Sequence, residues 1–111
     1  MSAVDGSNGF DHNFCIKSHN SDAMVPVAKI VSSKTGRILE LSATQPGVQL
    51  YTGNFMRGQQ GKCGVEYKKQ TAFCLETQHF PDSPNRSEFP SAVLKAGQTY
   101  NHTATFTFTT V

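Results

Sequence analysis

Nowhere does this chain hold an apolar stretch long enough to span a bilayer. Its first residues, Met1 to Gly9, are polar and small and lack the hydrophobic run of a secretory leader. Membrane association is therefore not expected, and a cytoplasmic protein is. Charge is scarce as well. Charged residues make up 16% of the 111 positions and hydrophobic ones 37%, both low for a compact globule. Ten basic side chains against eight acidic ones give a net charge of +2, and the only adjacent basic pair is Lys68-Lys69. A nucleic-acid interface needs a denser basic stripe with aromatics interleaved, which excludes that class of partner. The three cysteines, Cys15, Cys63 and Cys74, are odd in number and widely spaced. A small exported scaffold would show an even set, so reduced thiols are expected.

Several chemical motifs are missing too. His12 and Cys15 stand at short spacing, but no second ligand pair follows, and no metal site is expected. Gly61-Lys62 runs into Cys63 rather than the serine or threonine that closes a phosphate loop. No serine occupies a nucleophile elbow. Helical periodicity of useful length, internal repeats and low-complexity tracts are all absent.

What fills the chain is threonine, serine, asparagine, glutamine and glycine, a mixture suited to strands and turns. Met1 to Asn8 reads as a flexible lead-in to a domain over 9–111. Phe14 to Lys17 reads as a short strand. Val25 to Ser32 and Ile38 to Thr44 read as a hairpin closed by Ser33-Lys34-Thr35-Gly36. Val48 to Thr52 and Ala72 to Gln78 are strand-like. Between them Gly53 to Gly64 reads as a long surface loop, and Pro81 to Pro90 is irregular. The turn Lys95-Ala96-Gly97-Gln98 leads into what should be the longest strand, Thr99 to Val111. There Tyr100, His102, Ala104, Phe106 and Phe108 share one face, implying a sheet packed on one side. The expected class is all-β, an antiparallel β-sandwich.

Alternation decides which polar side chains meet. In Phe73-Cys74-Leu75-Glu76-Thr77-Gln78, Phe73 and Leu75 point one way while Cys74, Glu76 and Gln78 point the other. Glu76 is then either an exposed carboxylate on a wet face or a general base in a polar pocket. Gln49 and Tyr51 share a face and offer amide and hydroxyl groups suited to sugar hydroxyls, or to solvent. Asp11 and Asn13 would share a face of an extended segment with His12 opposite. Beside Gly9 they also suit an ordinary turn.

Three segments together carry a resemblance: Gly9-Phe10-Asp11-His12-Asn13-Phe14, Thr44 through Pro46-Gly47-Val48-Gln49-Leu50-Tyr51 to Phe55, and Phe73 to Gln78. Their order and spacing resemble those of aldose 1-epimerases, the galactose mutarotases, and Phe89-Pro90-Ser91 with the Lys95 to Tyr100 turn continues the match. The resemblance runs from about Gly9 to the end of the chain. It implies the carboxy-terminal part of that family's large β-sandwich, the mutarotase-like supersandwich. It also implies an isomerase that interconverts the α and β anomers of free hexoses such as galactose and glucose, without metal or organic cofactor. By the same resemblance Glu76 is the catalytic base, and Asp11 and Gln49 bind ring hydroxyls of the substrate.

The family's acid, a histidine, lies upstream of any matched segment, and none of His12, His19, His79 or His102 fits its motif. The resemblance thus implies a base-bearing portion whose open sheet edges favour self-association. Two alternatives stand beside it, a carbohydrate-binding module without turnover and an epimerase-like protein for hexose phosphates. The second would require clustered basic groups at the pocket, and Arg57 alone is not a cluster.

Overall fold

The computed structural model describes residues 9–17 and 23–111, and the lead-in expected over 1–8 lies outside them. The described residues form eight strands: β1 (Asp11–Cys15), β2 (Val25–Val31), β3 (Arg37–Ala43), β4 (Gly47–Tyr51), β5 (Gln59–Gln60), β6 (Glu66–Tyr67), β7 (Cys74–Gln78) and β8 (Ala104–Thr110). Two single 3-10 turns, Lys62–Gly64 and Ser83–Asn85, are the helical content among the described residues. The expected all-β, antiparallel class is thus observed. The chain divides into two compact units, one holding 9–14 and 49–76, the other 15–17, 23–48 and 77–111.

In the second unit β3 lies between β2 and β8. The β2–β3 hairpin forms where expected. Gly36 N–H donates to the Ser32 carbonyl at 2.8 Å, and Ser32 N–H to the Arg37 carbonyl at 2.8 Å. Gly36 holds φ +68°, and a Cβ there would press on the Val111 carbonyl oxygen at 3.2 Å, so glycine suits the turn twice over. Leu41 stands opposite Ala28 on β2 and Phe106 on β8, while Leu39 stands opposite Ile30 and Phe108. Two apolar rows on one face therefore cross the sheet. Leu41 at 1% exposure, Ala43 at 0% and Val48 at 6% are buried. Gln45 is buried beside them, its amide donating to the Tyr100 hydroxyl at 2.9 Å.

Several boundaries differ from expectation. The first strand begins at Asp11 instead of Phe14, because Phe10 is already bonded to Thr52 through its N–H and its carbonyl. The next two differences concern the last strand. It begins at Ala104, not Thr99, and at seven residues it equals β2 and β3. Its ladder stops where the Thr44 hydroxyl, in place of a backbone carbonyl, takes the Thr103 N–H at 3.0 Å. Nor is its apolar face packed, for every residue of β8 is exposed and Phe108 is 76% so. Finally, the Gly53 to Gly64 segment is not all surface loop. Gly53 and Asn54 are buried, and Gln59-Gln60 pairs antiparallel with Glu66-Tyr67.

Candidate functional site

Strand β4 lies between β1 and β7. Thr52 N–H donates to the Phe10 carbonyl at 3.0 Å, and Ile16 N–H to the Pro46 carbonyl at 2.9 Å. Strands bonded in this way run antiparallel, with Asp11 opposite Tyr51 and Asn13 opposite Gln49. Opposed residues project to the same side of a sheet, so these four share a face. Across it Gln49 Nε2 donates to Asp11 Oδ1 at 2.8 Å, a diagonal neighbour on the adjacent strand. An amide and a carboxylate placed together like this offer one donor and several acceptors to a hydroxyl-rich ligand.

The opposite face of β1 is aromatic. The Phe10 ring meets His12 edge-on at 6.0 Å and Phe14 at 6.3 Å. His12 is therefore turned away from Asp11 and Gln49, as its parity requires, although its Nδ1 accepts the Asp11 N–H at 3.0 Å. Phe10, Thr52 and Phe73 line one groove. Phe73 just precedes β7, and within β7 Cys74, Glu76 and Gln78 share one side while Leu75 and Thr77 share the other. Glu76 is exposed, and among the described residues its carboxylate has no hydrogen-bond or ion-pair partner.

Sequence reasoning missed what fixes this pair in place. The Thr52 hydroxyl accepts the Phe10 N–H at 2.8 Å and donates to Asn54 Oδ1 at 2.9 Å, while Asn54 Nδ2 donates to the Phe10 carbonyl at 2.8 Å. The network clamps the backbone immediately before Asp11, and Asn54 is only 4% exposed. Gly9 belongs to the clamp, since a Cβ there would run into the Asn54 amide. A threonine and an asparagine flanking a glycine between a strand and a loop were the available signal. Tyr51 is occupied locally, its hydroxyl accepting the Phe55 N–H at 3.0 Å and its ring stacking on Phe55 at 6.2 Å.

The other described histidines lie in the second unit. His79 and His102 meet edge-on at 5.7 Å, Tyr100 packs on His102 at 4.7 Å, and His102 Nδ1 is bonded to the Thr44 hydroxyl at 3.1 Å. His19 lies outside the described residues. All three cysteines are free and exposed. No group of three or more metal-ligating side chains occurs among the described residues, and no helix there is long and apolar enough to cross a membrane.

Comparison with known proteins decides what this arrangement belongs to. The family described as Aldose 1-epimerase matches residues 2–107. The chain belongs to the aldose 1-epimerase family. It is 50% identical over 102 residues to galactose mutarotase from Mus musculus and 48% identical over 102 residues to galactose mutarotase from Homo sapiens, in each case over 91% of this chain. It is 32% identical over 105 residues, 92% of this chain, to aldose 1-epimerase from Haemophilus influenzae. The chain spans 29% of the length of the mouse and human mutarotases and 30% of the Haemophilus epimerase. Asp11, Gln49 and Glu76 all fall inside the part of an aldose 1-epimerase that is matched.

Proposed function

We propose that this chain carries the base-bearing part of an aldose 1-epimerase site, acting on free aldohexoses such as galactose and glucose in the cytoplasm. The observation that carries the reading is the Asp11–Gln49 bond of 2.8 Å, which joins the two residues that the resemblance assigns to the hydroxyls of the sugar. Asp11 accepts from, and Gln49 donates to, ring hydroxyls, holding the anomeric carbon within reach of Glu76.

Glu76 removes the proton from the anomeric hydroxyl. As the C1–oxygen double bond forms, the bond from C1 to the ring oxygen breaks, and an acid delivers a proton to that oxygen. Rotation about C1–C2 presents the other face of the aldehyde. Closure then returns the ring oxygen's proton to the acid and the Glu76 proton to the new anomeric hydroxyl. An exposed carboxylate with no partner among the described residues suits the base role, since its lone pairs can take the substrate's proton. No histidine of this chain is assigned as the acid.

A second reading rests on that same gap. A chain with the sugar-binding pair and no matched acid holds a sugar without turning it over. Polarimetry of freshly dissolved α-galactose separates the two. Mutarotation faster than the spontaneous rate, lost in Glu76→Gln, supports the epimerase. A folded sample that binds galactose in a titration yet leaves the optical rotation to relax spontaneously sinks the turnover reading and leaves the binder.

A further inference from the structure

The two edges of the β2-β3-β8 sheet are built differently. Strand β2 carries Pro26, a register shift between Pro26 and Ala28, and Lys29. Proline, bulges and lysine are the devices that discourage a further strand from adding to an edge. Strand β8 has none of them. Its seven residues carry no charge and no proline, and its register against β3 runs unbroken from Arg37–Thr110 to Ala43–Ala104. Among the described residues no strand pairs with its outer edge. Phe106 and Phe108 on it are 45% and 76% exposed.

The phase of its hydrogen bonds is fixed. Val111 N–H donates to the Gly36 carbonyl at 3.0 Å, and Thr44 N–H to the Thr103 carbonyl at 3.1 Å. Thr105, Thr107 and Thr109 therefore turn their backbone groups toward β3, while Ala104, Phe106, Phe108 and Thr110 turn theirs outward. From 105 to 109 the sequence Thr-Phe-Thr-Phe-Thr reads the same in both directions.

We propose that β8 pairs antiparallel with β8 of a second copy of this chain, about a two-fold axis through Thr107. In that register Phe106 of each copy stands opposite Phe108 of the other, and the outward N–H and carbonyl groups of both bond across the axis. Thr107 meets its own equivalent as a non-hydrogen-bonded pair, with Cα atoms about 4.5 Å apart. All four phenylalanines fall on one face and extend the rows of Leu39 and Leu41 into a six-stranded sheet. No like charges are opposed, because the strand has no charge. Such an interface is isologous and closes at two copies. Seven exposed residues offer on the order of 500 Å² per copy against about 800 Å² per partner in a stable interface, so the dimer is reversible.

The test uses the full chain with Cys15, Cys63 and Cys74 changed to serine, so that introduced cysteines report alone. Light scattering over a concentration series is expected to show the mass rising toward twice that of one chain. Under oxidised glutathione, Thr107→Cys is expected to form a disulfide dimer, its Cα separation falling within disulfide range. Thr105→Cys alone, which faces Thr109 of the other copy, is expected to form no disulfide-linked dimer. An equal mixture of Thr105→Cys and Thr109→Cys restores the cross-link. A chain monomeric at every concentration, or a Thr105→Cys sample that cross-links as readily as Thr107→Cys, overturns the proposal. All three threonines are exposed, so none of these substitutions threatens the fold.

Discussion

The sheet β1-β4-β7 and the sheet β2-β3-β8 are both three strands wide and share a side-chain period of two, yet alternation serves different ends in them. In β2-β3-β8 the apolar parity holds Leu41 and Ala43, which are almost wholly buried, and the polar parity meets water through pairs such as Lys29–Glu40. In β1-β4-β7 the polar parity is linked across strands by Gln49 and Asp11, and the flanking clamp of Thr52 and Asn54 is polar as well. One sheet holds Leu41 and Ala43 of the buried core; the other buries Val48 and also uses hydrogen bonds to place donors and acceptors. Substitutions in the two should therefore separate stability from chemistry.

The widest separation is expected at Glu76. Glu76→Gln keeps the shape of the side chain and removes its basicity, which should lower the catalysed rate of galactose mutarotation by about 10²- to 10⁴-fold. Because the carboxylate is exposed and unpartnered among the described residues, the urea midpoint should not move. A variant that retains the parent rate removes Glu76 from the mechanism. Leu41→Ala is the converse. Leu41 is 1% exposed and stands between Ala28 and Phe106, so its truncation should cost about 2–5 kcal/mol in urea unfolding. A loss under about 1 kcal/mol would mean that the site collapses around the gap and that burial there is not the source of stability.

How much of this could be read beforehand differs between the sheets in the same sense. The hairpin Val25–Val31 with Arg37–Ala43 was legible because β-rich runs, a four-residue polar loop and a glycine at its end all agree. Strand β8 was legible as alternation but not as packing, since the pattern shows which side chains share a face and not whether anything lies against them. Asp11, Gln49 and Glu76 were each ambiguous alone. Their residue types fit turns and wet surfaces equally well, and their spacing resolved the ambiguity only through resemblance to a family. The bond between Asp11 and Gln49 joins residues 38 apart, and no local pattern encodes such a pairing. Asn54 was misread as loop surface because a buried asparagine and an exposed one look identical in sequence. Its burial follows from Phe10, 44 residues away, which local pattern does not connect to it.

Asn54 sharpens the comparison at an intermediate size. Asn54→Ala leaves the part-buried Phe10 carbonyl and Thr52 hydroxyl each short of one partner, which should cost about 1–3 kcal/mol. The distinguishing measurement is amide hydrogen exchange. Protection at Thr52 should fall in this variant, while protection at Leu39 and Leu41 stays at the parent level. Equal losses in both sheets would show that the clamp supports the whole chain and not the polar sheet alone.

The smallest effect is expected at Lys29–Glu40, the polar link of the buried sheet. Nζ and Oε1 stand 2.7 Å apart, a shorter contact than the Asp11–Gln49 bond, yet the two side chains are 59% and 46% exposed. In high dielectric such a pair gains little beyond what water already gives each charge, and ordering two long side chains offsets part of it. Lys29→Ala should therefore change stability by no more than about 0.5 kcal/mol, with a difference that shrinks further in salt. A loss above 1 kcal/mol that persists at high ionic strength would mean the lysine acts through its stem, covering apolar surface on β2. Lys29→Met, which keeps the stem and drops the charge, would then restore the parent midpoint. In that case the contrast between the sheets would lie in which atoms are covered and not in which residue types cover them.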